Sequence, residues 1–298
     1  MRGRKKKFGA NNNYYLYVIV VLLLGLFLAL PKTLKVRATE NSVPPPPPVS
    51  QPKKHNPALA LSVEAVLQKI KAKDDLTLVD VRPAKDFEAS HIPDSINIPL
   101  FAIKTKPFLK SKPLILIGEG YAFSRMEQEC ARLRKTGFPA WYLYGGLSFW
   151  SQRNAPLQGN VFAQKEFNKV PARIFFEEKD YADWIIVDVS QTKKSEGGGL
   201  FSQSLRVPYS RDTKDFAARL KTSLAKYSGA PSSCVLIIDE KGEKYDFLEP
   251  LIYKANLKNV FFLQGGREAY KKFLEQQALL QKGKNNAQKV VKKCANCK

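Results

Sequence analysis

The segment KPLILIGEGYAFSRM, residues 112–126, runs four apolar residues into two glycines and then into a helical pattern that starts at Ser124. A buried strand feeding a glycine-rich turn and a helix builds an anion cradle, because the loop amides and the helix N-terminus converge on one point. The loop residues Gly118, Glu119, Gly120, Tyr121, Ala122, Phe123 and Ser124 offer that cradle without an evident nucleophile. A second segment, CVLIIDEKGEKYDF (234–247), repeats the order, with the loop Asp239, Glu240, Lys241, Gly242, Glu243, Lys244 and Tyr245. Glu119, Asp239, Glu240 and Glu243 place negative charge in loops shaped to attract anions. Cys294 and Cys297 end the chain in KKCANCK. Such a pair can be a disulfide, a redox couple or half of a zinc site. Two ligands do not make a stable zinc site, so no metal and no cofactor are expected.

The elements that must position these loops are legible around them. In LSVEAVLQKI, Ser62 is a candidate N-cap ahead of apolar residues at helical spacing. LTLVDVR (76–82) is a short strand ending in Asp80 and Arg82, and PAKDFEASHIPDSINIPL reads as a short helix, a turn and a second strand. A helix is expected over Ser124–Lys135, ended by Gly137, followed by the strand AWYLYGG and by LSFW, in which Trp150 should be core. Strands alternating with helical patterns imply a parallel sheet flanked by helices. Asp80 and Asp188 end strands and read as structural residues, His91 as a hydrogen-bonding turn residue, and His55 as a spacer residue without a role. The lone Cys130 and Cys234 read as small buried hydrophobes.

The pattern occurs twice. WIIVDVS (184–190) mirrors LTLVDVR, SLRVPY (204–209) mirrors SINIPL, and NVFFLQGGREAY (259–270) mirrors AWYLYGGLSFW. The spacing agrees at four anchors: 19 residues separate Asp80 from Pro99 and 20 separate Asp188 from Pro208, while 27 separate Gly118 from Gly145 and 26 separate Asp239 from Gly265. Two units of ordinary domain size, 58–155 and 160–280, are the economical reading, with residues 154–164 as a hinge.

These motifs resemble the rhodanese-like superfamily, and their duplication resembles the tandem-domain sulfurtransferases. DVRPAKDFEASHIPDSINIP and GFPAWYLYGGLSFW carry the likeness in the first unit; the second keeps the frame with fewer letters. The resemblance implies an α/β fold of two rhodanese-like domains. It also implies chemistry in which a cysteine directly after the central strand takes a sulfur atom from a donor and passes it to an acceptor. The cysteine position falls on Gly118 in the first unit and Asp239 in the second. The loop arginine of the family falls on Phe123 and Lys244. No catalytic residue is therefore expected in either loop. Phe123 has two readings: it folds inward and plugs the old pocket, or it is exposed and contacts a partner.

The formal charge of +22 is concentrated in the tails. Residues 1–57 hold ten Lys and Arg against one acid, and residues 282–298 hold six against none, leaving +7 for everything between. Tyr14–Leu30 is a charge-free apolar run of 17 residues ended by Pro31. A helix of that length nearly crosses a hydrocarbon core of ~30 Å, and the basic cluster in residues 1–13 should stay in the cytoplasm. A cleaved signal peptide is the rival. The sequence thus reads as a basic N-terminus (1–13), a transmembrane helix (14–30), a proline-rich spacer (31–57), the two units, and a mobile basic tail with the CxxC pair (281–298). The expected location is the outer face of the inner membrane. A protein partner is expected and nucleic acid is not. The expected function is non-catalytic binding, scaffolding or sensing; the alternative is sulfur or electron transfer on Cys294 and Cys297.

Overall fold

A computed structural model describes residues 56–181, 184–191, 200–227 and 233–295, the last twelve of these as backbone only. The apolar run 14–30, most of the spacer and Cys297 lie outside the described residues. Among the described residues, no helix is long and apolar enough to cross a membrane.

In chain order the first half comprises β1 (Ala60–Leu61), α1 (Val63–Lys71), β2 (Thr77–Asp80), α2 (Ala84–Ala89), β3 (Ser90–His91), β4 (Ile96–Asn97), β5 (Leu114–Ile117), α3 (Phe123–Arg134), β6 (Ala140–Leu143) and α4 (Gly146–Gln152). A connector follows with β7 (Gln158–Gly159) and α5 (Val161–Gln164). The second half comprises β8 (Lys169–Val170), α6 (Ala172–Glu178), β9 (Trp184–Asp188), β10 (Leu205–Arg206), α7 (Thr213–Ala225), β11 (Cys234–Ile238), α8 (Tyr245–Lys254), β12 (Val260–Leu263) and α9 (Gly266–Ala295).

The two halves share one topology. Strand order is β1-β6-β5-β2-β4 in the first sheet and β8-β12-β11-β9-β10 in the second, and every pairing is parallel. The mirrored strands also share a register: Ile96 pairs with Val79 and Asn97 with Asp80, while Leu205 pairs with Val187 and Arg206 with Asp188. The central strands β5 and β11 are buried at every position, as parallel strands covered on both faces must be.

Local chemistry starts the helices where the sequence places them. Ser62 caps α1 by accepting from the Ala65 amide at 3.1 Å, a contact worth about 1 kcal/mol. One face of β5 presents Leu114 and Leu116 to Met126, Cys130 and Leu133 of α3. The opposite face presents Ile115 and Ile117 to Val63, Val66, Leu147 and Trp150. That second face belongs to a core that continues into the second half through Phe175, Leu236, Ile238, Phe261 and Leu263. The halves are joined by shared hydrophobic packing rather than by a hinge.

Two expectations need correction. The stretch 154–164 is tied to the first half: β7 pairs antiparallel with β3, and the Asn160 amide donates to the Ala89 carbonyl at 2.7 Å. The tail beginning at residue 281 is the continuation of α9, which runs from Gly266 through Ala295 and crosses the expected boundary at 280. Its lysines and alanines favour a helix and it has no internal proline, although Gly283, Asn285 and Asn286 disfavour one.

Candidate functional site

The first loop leaves β5 at Gly118, which is buried, and enters α3 at Phe123. Its shape is set by two carbonyls. Gly118 O accepts from the Leu147 amide at 3.0 Å and Glu119 O from the Ser148 amide at 2.9 Å. This clamps the loop against the start of α4 so closely that a Cβ on Gly146 would lie 2.3 Å from Gly118 O. The second loop is clamped alike: Asp239 O accepts from the Arg267 amide and Glu240 O from the Glu268 amide, both at 2.9 Å. A Cβ on Gly266 would lie 2.7 Å from Glu240 O. Two glycine pairs therefore let two loops and two helices approach at one spacing.

Each loop–helix junction already holds a carboxylate from the chain itself. At the N-terminus of α3 the Ala122 cap position provides no side-chain bond. Glu178, from the end of α6 in the other half, takes that place. The Ser124 amide donates to Glu178 Oε2 at 2.9 Å and the Ser124 hydroxyl to Oε1 at 2.6 Å, and the Arg125 amide contributes. Glu178 is only 3% exposed. Burial pushes its carboxyl above the usual range, and the Ser124 bonds work against that shift. In the second loop Asp239 turns its own carboxylate into the turn, accepting from the Gly242 amide and, at 3.3 Å, from the Lys244 amide. Oriented amides and a helix N-terminus favour negative charge, and in both places that preference is met internally.

The space left is small. The cavity lined by Gly118, Glu119, Gly120, Phe123, Met126 and Gly146 measures about 10 Å³, at the threshold for one water molecule. Phe123 is 2% exposed and points inward. Its ring lies 5.0 Å from that of Tyr144, 6.1 Å from Trp184 and 6.3 Å from Phe261. Tyr121 also meets Phe261 edge-on at 6.3 Å. The exposed-contact reading of Phe123 is thereby excluded; the aromatics do make a contact, and it is with the second half of the same chain. Polar bonds surround it: Gln152 exchanges bonds with the Val260 backbone at 2.8 and 3.0 Å, and Tyr181 donates to Glu127.

The second loop is one residue longer than the first, which changes its register with the helix. Counting from Asp239 places Lys244 opposite Phe123, but α8 begins at Tyr245, as α3 begins at Phe123. Tyr245 is 2% exposed, packs on Phe262 at 4.9 Å and receives the Asp239 amide on its hydroxyl at 3.2 Å. Lys244 instead lies over the Tyr209 ring, 5.8 Å from its centroid.

The strand-end aspartates are buried and paired. Asp80 receives Arg82 Nε at 3.0 Å and Nη2 at 2.8 Å, and the same guanidinium reaches the Ser90 carbonyl. Asp188 receives Arg267 at 2.6 Å and the Ser190 amide at 3.0 Å. His91 contacts the Phe87 carbonyl and the Gln158 side chain through its two nitrogens. Trp150 is core and donates to the Pro156 carbonyl. Cys130 and Cys234 are buried, and burial pushes the Cys130 thiol up to about 12, far from a reactive thiolate. Cys294 falls on the α9 backbone. Among the described residues there is no cluster of His, Cys, Asp and Glu that could hold a metal ion. Sequence reasoning missed Glu178. Its only local signal was the missing cap at Ala122, which says that α3 needs an acceptor but not where it comes from.

Both halves are parallel α/β units whose central strand turns through a loop into an anion-seeking helix N-terminus. Residues 62–153 match the rhodanese-like domain family, and this stretch is a rhodanese-like domain. The adenylyltransferase and sulfurtransferase MOCS3 of Drosophila sechellia is 33% identical over 121 residues, covering 35% of this chain. The chain spans 26% of that relative's length. Among solved structures, the BH2092 protein of Bacillus halodurans is 27% identical with a TM-score of 0.31, over 34% of this chain and 77% of that one. The thiosulfate sulfurtransferase of Pseudomonas aeruginosa is 18% identical with a TM-score of 0.30, over 71% of this chain and 42% of that one.

Proposed function

We propose that this chain is a non-catalytic member of the sulfurtransferase-like class: two rhodanese-like halves on a proline-rich stalk and a single membrane span, serving as a protein-binding module outside the cytoplasm. The observation that carries the reading is a carboxylate from the chain at each loop–helix junction, Glu178 on the Ser124 amide and Asp239 in its own loop, where sulfur transfer would need a thiolate. The purified chain should yield no thiocyanate from thiosulfate and cyanide above background. Gly118→Cys should stay equally silent although it fits, its Cβ meeting nothing nearer than Met126 Sδ at 3.5 Å, because Glu178 already holds the helix N-terminus. Turnover by the wild type that survives replacement of all four cysteines would overturn the reading. Turnover lost only with Cys294→Ser or Cys297→Ser would transfer the chemistry to the tail.

The span rests on Tyr14–Leu30 and on the basic residues ahead of it. Protease added to spheroplasts should digest residues 31–298 and spare the N-terminus. Protection of the folded part would put it on the other side, and an N-terminus near residue 39 would mean a cleaved signal.

A further inference from the structure

With the α3 N-terminus capped from within and little room left in the loop cavity, the surface outside the loop becomes the accessible feature of the first half. A groove of about 680 Å³ lies there between the Val81–Pro83 turn, the Pro99–Lys104 segment and the outer face of α3. The volume is in the range that takes a ligand or a side-chain cluster. Its apolar floor includes Leu100 and Met126, and Phe101 stands beside it 85% exposed. Arg132 in its wall pairs with Glu129 at 2.6 Å. Lys104 and Arg125 are exposed, and among the described residues neither pairs with a carboxylate. Aromatic, methionine and arginine side chains together mark interface cores, where an exposed aromatic serves as an anchor.

We infer that this groove docks an acidic peptide segment of a protein partner, one that sets carboxylates against Lys104 and Arg125 and an apolar side chain against Phe101. The proposal deepens the non-catalytic reading by naming the chemistry of the partner. The chain's own segments outside the described residues do not supply it. Residues 1–55 hold ten Lys and Arg against one acid, and residues 192–199 hold two Lys against one Glu, so both carry the same sign as the rim. A nucleic acid fits less well, since Glu119 and Glu129 line the same groove and would oppose a regular run of phosphates.

Selection of short randomised peptides displayed on phage against the full chain in detergent tests it. The enriched peptides should be net negative and carry an aliphatic or aromatic residue. Their affinity, read by fluorescence anisotropy, should fall about tenfold or more in Lys104→Glu/Arg125→Glu and about tenfold in Phe101→Ala. All three side chains are exposed, so the melting temperature should hold. Failure to enrich any peptide, enrichment without an acidic bias, or binding unchanged by these substitutions would overturn the proposal. So would displacement of the peptide by a single-stranded RNA oligomer of equal affinity. Sulfurtransferase turnover would sink the non-catalytic reading alone and leave the peptide result standing.

Discussion

Phe123→Ala is expected to lower the stability of the folded chain by ~3–5 kcal/mol, the cost of removing a buried aromatic side chain and leaving a cavity. The site has little room to collapse. Phe123 is packed between Tyr144 of its own half and Trp184 and Phe261 of the other, and interiors of this density relax only in part. The loss should appear as a fall in melting temperature on the order of 10 °C, at roughly 2–4 °C per kcal/mol for a chain of this size. Phe123→Leu keeps much of the volume and should lose less. A melt of Phe123→Ala that matches the wild type would mean that the ring does not hold the halves together.

Glu178 carries the second large expectation. Glu178→Ala should cost on the order of 1–3 kcal/mol, because the Ser124 amide and hydroxyl lose their acceptor in a site that water does not reach. Glu178→Gln keeps an acceptor and separates hydrogen bonding from charge. Burial raises the folded-state pKa of Glu178 above its ordinary 4.5. A raised carboxyl favours folding most where it is protonated, below the unfolded value, and loses that contribution as pH rises through the folded value. The difference in melting temperature between wild type and Glu178→Gln should therefore move in the wild type's favour as pH falls from about 7 to about 4.5. Other titrating groups cancel in that difference. A flat difference, or one of opposite sign, would show that the Ser124 bonds hold the carboxylate ionised and offset its burial.

Much of the architecture was legible because it is written locally. The apolar runs that became β5 and β11, the Ser62 cap and the glycines before α4 and α9 each follow from neighbouring residues. The correspondence of the halves followed from mirrored segments whose spacings agree to within one residue. What was not legible depends on residues far apart in sequence. Glu178 lies 54 residues from Ser124, and nothing around it marks it as a cap. The inward turn of Phe123 depends on an aromatic surface assembled from β9 and β12. The correspondence of Phe123 with Tyr245 was hidden by one extra residue in the second loop, which only the helix start reveals. The two-residue strands β1 and β8, too short for any periodic signal, were also invisible.

The length of α9 sets a distance. At ~1.5 Å per residue a straight helix of this size reaches about 45 Å, and it starts at Gly266, hard against the second loop at Glu240. Cys294 sits near its far end. The helix is thus a ruler that carries the backbone at residue 294 roughly 40 Å away from the loop beside which it begins. A sulfur or electron relay between that tail and its own second loop would have to break the helix first. As long as α9 stays helical, the second loop lies out of reach of the backbone at residue 294.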